Sequence, residues 1–277
     1  MKVWRLLSFC EEDPFINMAT DEAIFRESLH SETSPTLRFY GWSYPTVSLG
    51  YFQKAASEID LDACMRHKVA VVRRPTGGRA VYHDEELTYS VVSGSAPPCF
   101  APSVIGTYRA ITTCIARGLA SVGLKTDLAE AEPVRGTGVL SAYCFSEPSR
   151  YELLADGKKI CGSAQMRSRG GFLQHGSLLL AFNPFKTLDL LLPHLDRKGQ
   201  IAGLRNSVTS VRDIMGSALG RVDLLEAIIH GFRDVLGIEF VEGNLTLSEE
   251  AQRDRLLVDK YRTDRWNMEG RLNGHGL

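Results

Sequence analysis

The sequence predicts a mixed α/β fold, and three observations carry that reading. Strand-like runs alternate with segments of helical periodicity, separated by short connections punctuated by Gly, Pro and Ser. No internal repeat and no low-complexity tract interrupts the alternation. Of the 277 residues, 44% are hydrophobic and 23% charged, enough apolar content for a sizeable core.

The elements follow in order. Asp13-Pro14 is an N-cap with proline at the first helical position, and Phe15, Met18, Ala19, Glu22 and Ala23 continue a helix whose apolar face packs on a sheet. Strand signals come at 37–40, 46–49, 69–73, 80–82 and 87–92, each short and bounded by Gly, Pro or Ser, as expected of neighbours in one sheet. Pro102-Ser103 opens a helix with Val104, Tyr108, Ile111, Ile115 and Leu119 on one face, ending near Gly123. Residues 129–142 lack periodicity and contain Pro133, Gly136 and Gly138, the pattern of a long loop leading to Cys144. Strands at 151–154 and 159–165 are joined by Ala155-Asp156-Gly157, whose Asp-Gly pair supplies the positive φ of a tight hairpin, and a third strand covers 172–180. The last third is mainly helical, with an amphipathic helix at 222–236, a short strand at 238–241, and a capping box, Thr246-Leu247-Ser248-Glu249, ahead of a helix reaching Tyr261. No linker splits the chain, so one domain over 1–277 with a small helical C-terminal lobe around 208–277 is expected.

Charge and composition exclude some classes. With 32 basic and 33 acidic residues the formal net charge is -1, which builds in no overall pull toward nucleic acid or anionic membrane. The N-terminus has no apolar stretch of signal-peptide length and no later run spans a bilayer, so a cytoplasmic protein is expected. Cys10, Cys64, Cys99, Cys114, Cys144 and Cys161 are widely spaced without a C-x-x-C pair, which argues against a zinc site and against disulfides.

Three motifs carry chemistry. The first, Arg73-Arg74-Pro75-Thr76-Gly77-Gly78-Arg79-Ala80-Val81-Tyr82-His83-Asp84, is a glycine turn between strands with basic residues around it. Paired glycines let backbone N–H groups approach a ligand and arginines add charged donors, although a hairpin on an exposed basic rim needs the same residues. The second is Cys144-Phe145-Ser146-Glu147-Pro148-Ser149, where the cysteine is a nucleophile if a nearby cation favours its thiolate and an inert buried thiol otherwise. The third is Asp156-Gly157-Lys158-Lys159-Ile160-Cys161-Gly162-Ser163-Ala164-Gln165, followed by Leu173-Gln174-His175-Gly176-Ser177. Alternation puts Lys159 and Cys161 on one face and Lys158 and Ile160 on the other, so only one lysine of the pair faces a pocket. His83 and His175 are candidates for orienting a group or contacting substrate, or for a structural role. Cys161 is the rival nucleophile, disfavoured by its place within a strand.

Taken in order, RRPTGGRAVYHD, a cysteine in the following loop, DGKKICGSAQ and LQHGS resemble the lipoate and octanoate transfer branch of the biotin/lipoate protein ligase superfamily. Within that branch the pattern is similar to the cysteine-dependent octanoyltransferase group that acts on octanoyl-acyl carrier protein, because Cys144 precedes Lys159 by fifteen residues. The resemblance implies an α/β (α+β) fold of the biotin/lipoate protein ligase catalytic-domain type, a mixed β-sheet with packed helices and an acyl-binding cleft near the glycine turn. It casts Cys144 as the acyl-thioester nucleophile and Lys159 as the group that lowers its pKa. Substrate binding falls to Arg73, Gly77, Gly78, Arg79, His83, Gly162, Ser163 and Ala164. The implied reaction moves octanoyl from octanoyl-acyl carrier protein to a lysine of a lipoyl domain or of glycine cleavage H protein, without cofactor, metal, nucleic acid or membrane. Thioester exchange is near-isoenergetic and needs no nucleotide.

Arg79 departs from the ligases of the superfamily, which generally have a third glycine there. Its side chain either fills the space of an adenylate phosphate, contacts a carrier's phosphopantetheine or caps a solvated turn. Three other functions stay open on the sequence: an ATP-dependent lipoate–protein ligase, an amidotransferase taking octanoyl from H protein to other lipoyl domains, and a non-catalytic lipoyl-domain binder.

Overall fold

A computed structural model describes residues 2–30, 33–95, 100, 103–129, 152–191, 197–216 and 219–270. Its first element is one that alternation alone does not announce. β1 (Lys2–Glu12) runs parallel to both of its neighbours, β2 (Thr36–Trp42) and β11 (Ile238–Gly243). From β2 the sheet continues antiparallel through β6 (Glu86–Ser93), β10 (Gly171–Leu179), β9 (Lys158–Ser168), β8 (Leu153–Ala155) and β7 (Asp127–Leu128), giving an eight-stranded mixed sheet in the order β11-β1-β2-β6-β10-β9-β8-β7. A second sheet holds β3 (Thr46–Leu49) between β4 (Ala70–Arg73), parallel, and β5 (Val81–His83), antiparallel. The expected single sheet is thus two sheets, because the turn at Ser43-Tyr44-Pro45 separates β2 from β3.

Turn chemistry fixes the register of the hairpins on which the site depends. Asp156 and Gly157 both take positive φ (50° and 73°) between β8 and β9, and Arg169 and Gly170 do the same (47° and 86°) between β9 and β10. Two consecutive left-handed residues match the twist of the flanking strands. β9 and β10 are consequently held with His175 opposite Ala164 and Ser177 opposite Gly162.

Helices cover the two faces differently. α1 (Pro14–Ser28) starts as expected, with the Asp13 carboxylate accepting from Phe15 N and Ile16 N. It is buried nearly all round, including Asn17, Asp21 and Glu22, so its polar residues serve interior networks. On the other face lie α4 (Val104–Ser121), capped by Ser103, and α8 (Arg221–Leu236), ended by left-handed Gly237. Their apolar stripes close the largest core cluster over Trp4, Leu37, Phe39, Val91, Ile160 and Phe172. α4 and α8 cross at Gly118 and Gly231, where an added Cβ would lie 2.4 Å from Ala227 O and 2.2 Å from Cys114 O. Gly231→Val is therefore expected to destabilise the fold by about 1–3 kcal/mol through overpacking. An unchanged urea midpoint would show that the crossing relaxes freely.

Shorter helices, α2 (Ala55–Glu58), α3 (Leu61–Arg66), α5 (Pro184–Leu190) and α6 (Arg197–Ser207), pack around the small sheet and the start of β9, while α7 (Val211–Met215) packs on the main core cluster. α9 (Leu247–Leu256) follows the capping box and runs into π-helical turns at Leu257–Tyr261 and Arg265–Glu269. The C-terminal third is tied into the rest: β11 extends the main sheet beside β1, α8 packs on α4, and α9 packs on α1. Among the described residues no helix is long and apolar enough to cross a membrane.

Candidate active site

The two sheets face each other across a narrow cavity of about 40 Å³. The large sheet contributes Tyr40 and Trp42 from β2, Thr88 from β6, Gly162, Ser163 and Ala164 from β9, and His175, Gly176 and Ser177 from β10. Ser48, Arg74, Val81 and His83 close it from the small sheet and Met18 from α1. The expected His83, Gly162, Ser163 and Ala164 therefore come together. Close strand approach makes this possible, since a Cβ on Gly176 would meet Ser163 Oγ at 2.4 Å and Gly162 O at 2.7 Å.

The adjacent arginines of the glycine motif divide. Arg74 staples the turn from inside, donating to Ser48 O (3.0 Å), Gly77 O (3.0 Å) and Arg79 O (2.6 Å). Gly78 takes φ 93° and its carbonyl presses on Gly50, where a Cβ would lie 1.9 Å away, so the turn sits tightly over β3. Gly77, Gly78 and Arg79 stand at the rim and do not line the cavity. Arg73 points elsewhere altogether. It is 0% exposed, and its guanidinium donates to the carbonyls of Gly50, Tyr51, Gln53, Trp266, Asn267 and Met268. It does not line the cavity, and these bonds make it a clamp between the loop after β3 and the C-terminal turn.

His83 sits in a relay that the motif did not announce. Arg74 has only donors, so Ser48 Oγ accepts from it (2.9 Å) and gives its own proton toward His83 Nε2 (2.7 Å). His83 Nδ1 then donates to Glu86 Oε1 (2.8 Å), which also accepts from Trp42 Nε1, Thr88 Oγ1 and Ser177 Oγ. Burial pushes the Glu86 carboxyl up, but His83 and these hydroxyls outweigh it and hold it below the ordinary carboxylate range. The His83 ring stacks on Trp42 at 4.0 Å. Glu86 and Trp42 left no motif-level signal beyond the short His83-to-Glu86 spacing around a turn.

His175 has a parallel arrangement, with Thr76 Oγ1 at 2.7 Å and Asp21 Oδ2 at 3.4 Å. Asp21 is also bound by Arg38, Tyr40 and Ser90, and these partners, Arg38 foremost, overcome its burial and keep it ionised. Burial holds the His175 imidazole below its ordinary 6.5, with Asp21 pulling the other way. The unfolded chain then takes up this proton at higher pH than the folded one. Stability should be full above about pH 6.5 and decline as the pH falls below it. Denaturant midpoints across that range check this, and His175→Gln should flatten the decline; equal slopes would clear His175 of the effect.

Lys159 lies just along β9 from Gly162, outside the cavity lining. It is 0% exposed and its Nζ is 2.7 Å from Glu152 Oε2, itself 2% exposed. Lys158 turns the other way, to Arg205 O (2.9 Å). Cys161 feels the same ion pair: burial, then the Glu152 charge, push its thiol up to about 12 against the pull of Lys159. That rival is protonated and inert at neutral pH. Cys144 and Cys99 lie outside the described residues. Ala129 N donates to Glu152 O at 2.9 Å, so the chain on either side of 130–151 meets beside Lys159. Among the described residues no cluster of three or more His, Cys, Asp or Glu is placed to hold a metal.

The cavity walls are aromatic and apolar, and the polar side chains behind them bond chiefly to one another, which suits an uncharged hydrocarbon chain. Comparisons with known proteins agree in kind. Residues 13–233 match the family model of the lipoyl protein ligase A/B catalytic domain. Octanoyltransferase LipM of Kyrpidia tusciae is 40% identical over 274 residues, covering 96% of this chain and 99% of the relative. The LipM of Carboxydothermus hydrogenoformans is 38% identical over 268 residues, with 96% and 98% covered. Among solved structures, the bi-partite lipoate protein ligase of Thermoplasma acidophilum superposes with a TM-score of 0.83 at 28% identity over 100% of both chains. A lipoate-protein ligase A bound with ATP gives 0.80 at 29% identity, covering 97% of this chain and 99% of that one.

Proposed function

The chain belongs to the lipoyl protein ligase A/B catalytic domain family, and from that premise we propose that it is a cytoplasmic octanoyltransferase of lipoate biosynthesis. Octanoyl-acyl carrier protein is the donor, Cys144 carries the acyl group as a thioester, and a lysine of a lipoyl domain or H protein receives it. The observation that carries this reading is the apolar cavity whose wall at Gly162, Ser163 and Ala164 continues along the same strand to the buried Lys159. Relatives aligned over nearly their whole length are octanoyltransferases, which supports the transfer of that chain.

The chemistry divides into two displacements. The Cys144 thiolate attacks the donor's thioester carbonyl, and the carrier's sulfur leaves with the proton that Cys144 gave up. The neutral acceptor amine then attacks the Cys144 thioester, forming an amide, returning the sulfur as thiolate and releasing the amine's proton to solvent. Lys159, fixed by Glu152, supplies positive charge that favours the thiolate, and donors near the reacting carbonyl stabilise the tetrahedral oxyanion. In this reading Arg79, next to the glycine turn, binds the phosphate of the donor's arm.

A second reading, ATP-dependent ligation, is favoured by the likeness to a ligase bound with ATP. Nucleotide dependence separates the two. Lipoyl-domain octanoylation from octanoyl-acyl carrier protein is expected to proceed at full rate without ATP; modification that requires ATP and free octanoate would transfer the assignment to the ligase. Donor exchange with octanoyl-H protein tests the amidotransferase variant in the same assay.

A further inference from the structure

Hydroxyls, imidazoles and a guanidinium line the cavity beside its rings, yet their hydrogens are committed to the protein. Glu86 is the main cause. Its carboxylate is 1% exposed, and Oε1 accepts from Trp42 Nε1 (3.0 Å), His83 Nδ1 (2.8 Å), Thr88 Oγ1 (2.6 Å) and Ser177 Oγ (2.7 Å). All four donors belong to residues of the cavity wall. One carboxylate therefore gathers hydrogens from three strands of the large sheet and one of the small. Their neighbours are committed as well. Arg74 directs its five N–H groups to Ser48 O, Ser48 Oγ, Gly77 O and Arg79 O, and Tyr40 donates to Asp21.

Register decides which part of a bound chain meets the residues that Glu86 holds. Gly162 pairs with Ser177, Ser177 with Thr88 and Thr88 with Tyr40, so one row crosses four strands over about 14 Å. β9 at one end of the row carries Lys159, and β2 at the other carries Trp42. An acyl chain whose thioester lies by Lys159 runs its far half past Ser177, Thr88 and Trp42. A hydroxyl on that half would leave water to meet side chains whose hydrogens are already taken, at the full cost of its desolvation. A methyl group in its place loses nothing. Without the Glu86 acceptor, the same wall residues would offer their hydrogens to the chain.

We propose that Glu86 is a positioning residue that sets the class of acyl group accepted, an unsubstituted alkyl chain, by holding the hydrogens of Trp42, His83, Thr88 and Ser177 away from it. That an acyl chain occupies the cavity rests on the octanoyl-transfer reading. The test is competition between equimolar octanoyl-acyl carrier protein and 7-hydroxyheptanoyl-acyl carrier protein, which has a hydroxyl where octanoyl has its last methyl. Intact masses of the full chain give the ratio of the two adducts. Wild type should favour octanoyl about 100-fold, the discrimination an apolar pocket achieves against an added hydroxyl. Glu86→Gln keeps the size but has a weaker acceptor and hydrogens of its own, and the ratio should fall below about tenfold. Should its melting temperature show that it does not fold, Val81→Thr puts an uncommitted hydroxyl into the same wall and should lower the ratio likewise. Equal adducts in wild type overturn the proposal, as does a folded Glu86→Gln, or in its place a Val81→Thr, that keeps the wild-type ratio. No adduct of either chain on wild type strikes the octanoyl-transfer reading instead. Calorimetric binding of octanoate and 7-hydroxyheptanoate then judges the wall without any transfer: a preference for octanoate that Glu86→Gln erases supports the proposal, and equal affinities overturn it.

Discussion

Cys144→Ala should abolish the covalent octanoyl adduct and reduce transfer to a lipoyl domain by at least about 1000-fold, since none of the described cysteines, Cys10, Cys64, Cys114 and Cys161, lines the cavity. Incubating wild type with octanoyl-acyl carrier protein, without ATP, should add one octanoyl mass that neutral hydroxylamine removes, the lability of a thioester. Cys161→Ala serves as the control: its thiol is pushed up to about 12 and buried in the core, so adduct and rate should both survive. Cys64, pushed up to about 11 by burial and Asp60, is equally unsuited. An adduct that persists in Cys144→Ala would remove Cys144 from the mechanism, and no adduct in wild type would favour adenylate chemistry. Lys159→Ala should slow adduct formation most at neutral pH, with part of the rate recovered as rising pH makes the thiolate unaided. A pH-independent loss would give Lys159 to oxyanion stabilisation or to the fold.

What was legible in the sequence was local. Asp13-Pro14 and Asp156-Gly157 announce a helix start and a hairpin because a cap or a left-handed pair is a property of two neighbouring residues. Lys159 and Cys161 share an ion-pair environment, as the period of two requires, while Lys158 goes to Arg205. What escaped reading depends on partners far apart in the chain. β1 is bordered by strands from residues 36–42 and 238–243, and its own pattern is blurred because it is a half-exposed strand between parallel neighbours. Glu86 gathers Trp42, His83, Thr88 and Ser177 from four strands, and Asp21 gathers Arg38, Ser90 and His175. Glu152 would be read as a surface residue until the fold sets it against Lys159. The family motif brought Arg73 and Arg74 to attention together. Only the strand's geometry separates the one that frames the cavity from the one that braces its rim.

That separation gives the largest expected effect on stability. Arg73 is a buried cation with no carboxylate in contact among the described residues; burial lowers its pKa, and six carbonyl oxygens hold it. Three come from residues 50–53 and three from 266–268, so one side chain joins two segments about two hundred residues apart in the chain. The strand backbone adds to the joint, with Arg73 N donating to Asn267 Oδ1 and Trp266 Nε1 to Arg73 O, both at 2.9 Å. Arg73→Met keeps the length and the apolar stem but strands the carbonyls. The expected cost is about 3–5 kcal/mol, set by several buried acceptors losing a charged donor at once. Arg73→Lys should recover little, because a point ammonium with three donors cannot reach both segments in the plane of a guanidinium. The melting temperature should therefore fall by roughly 10 °C in either variant. Protease cleavage should appear first at the two segments Arg73 joins, before the main sheet opens. If Arg73→Met instead melts like wild type and loses only affinity for the acyl substrate, the clamp is not what the residue is for, and the substrate role read from the motif returns.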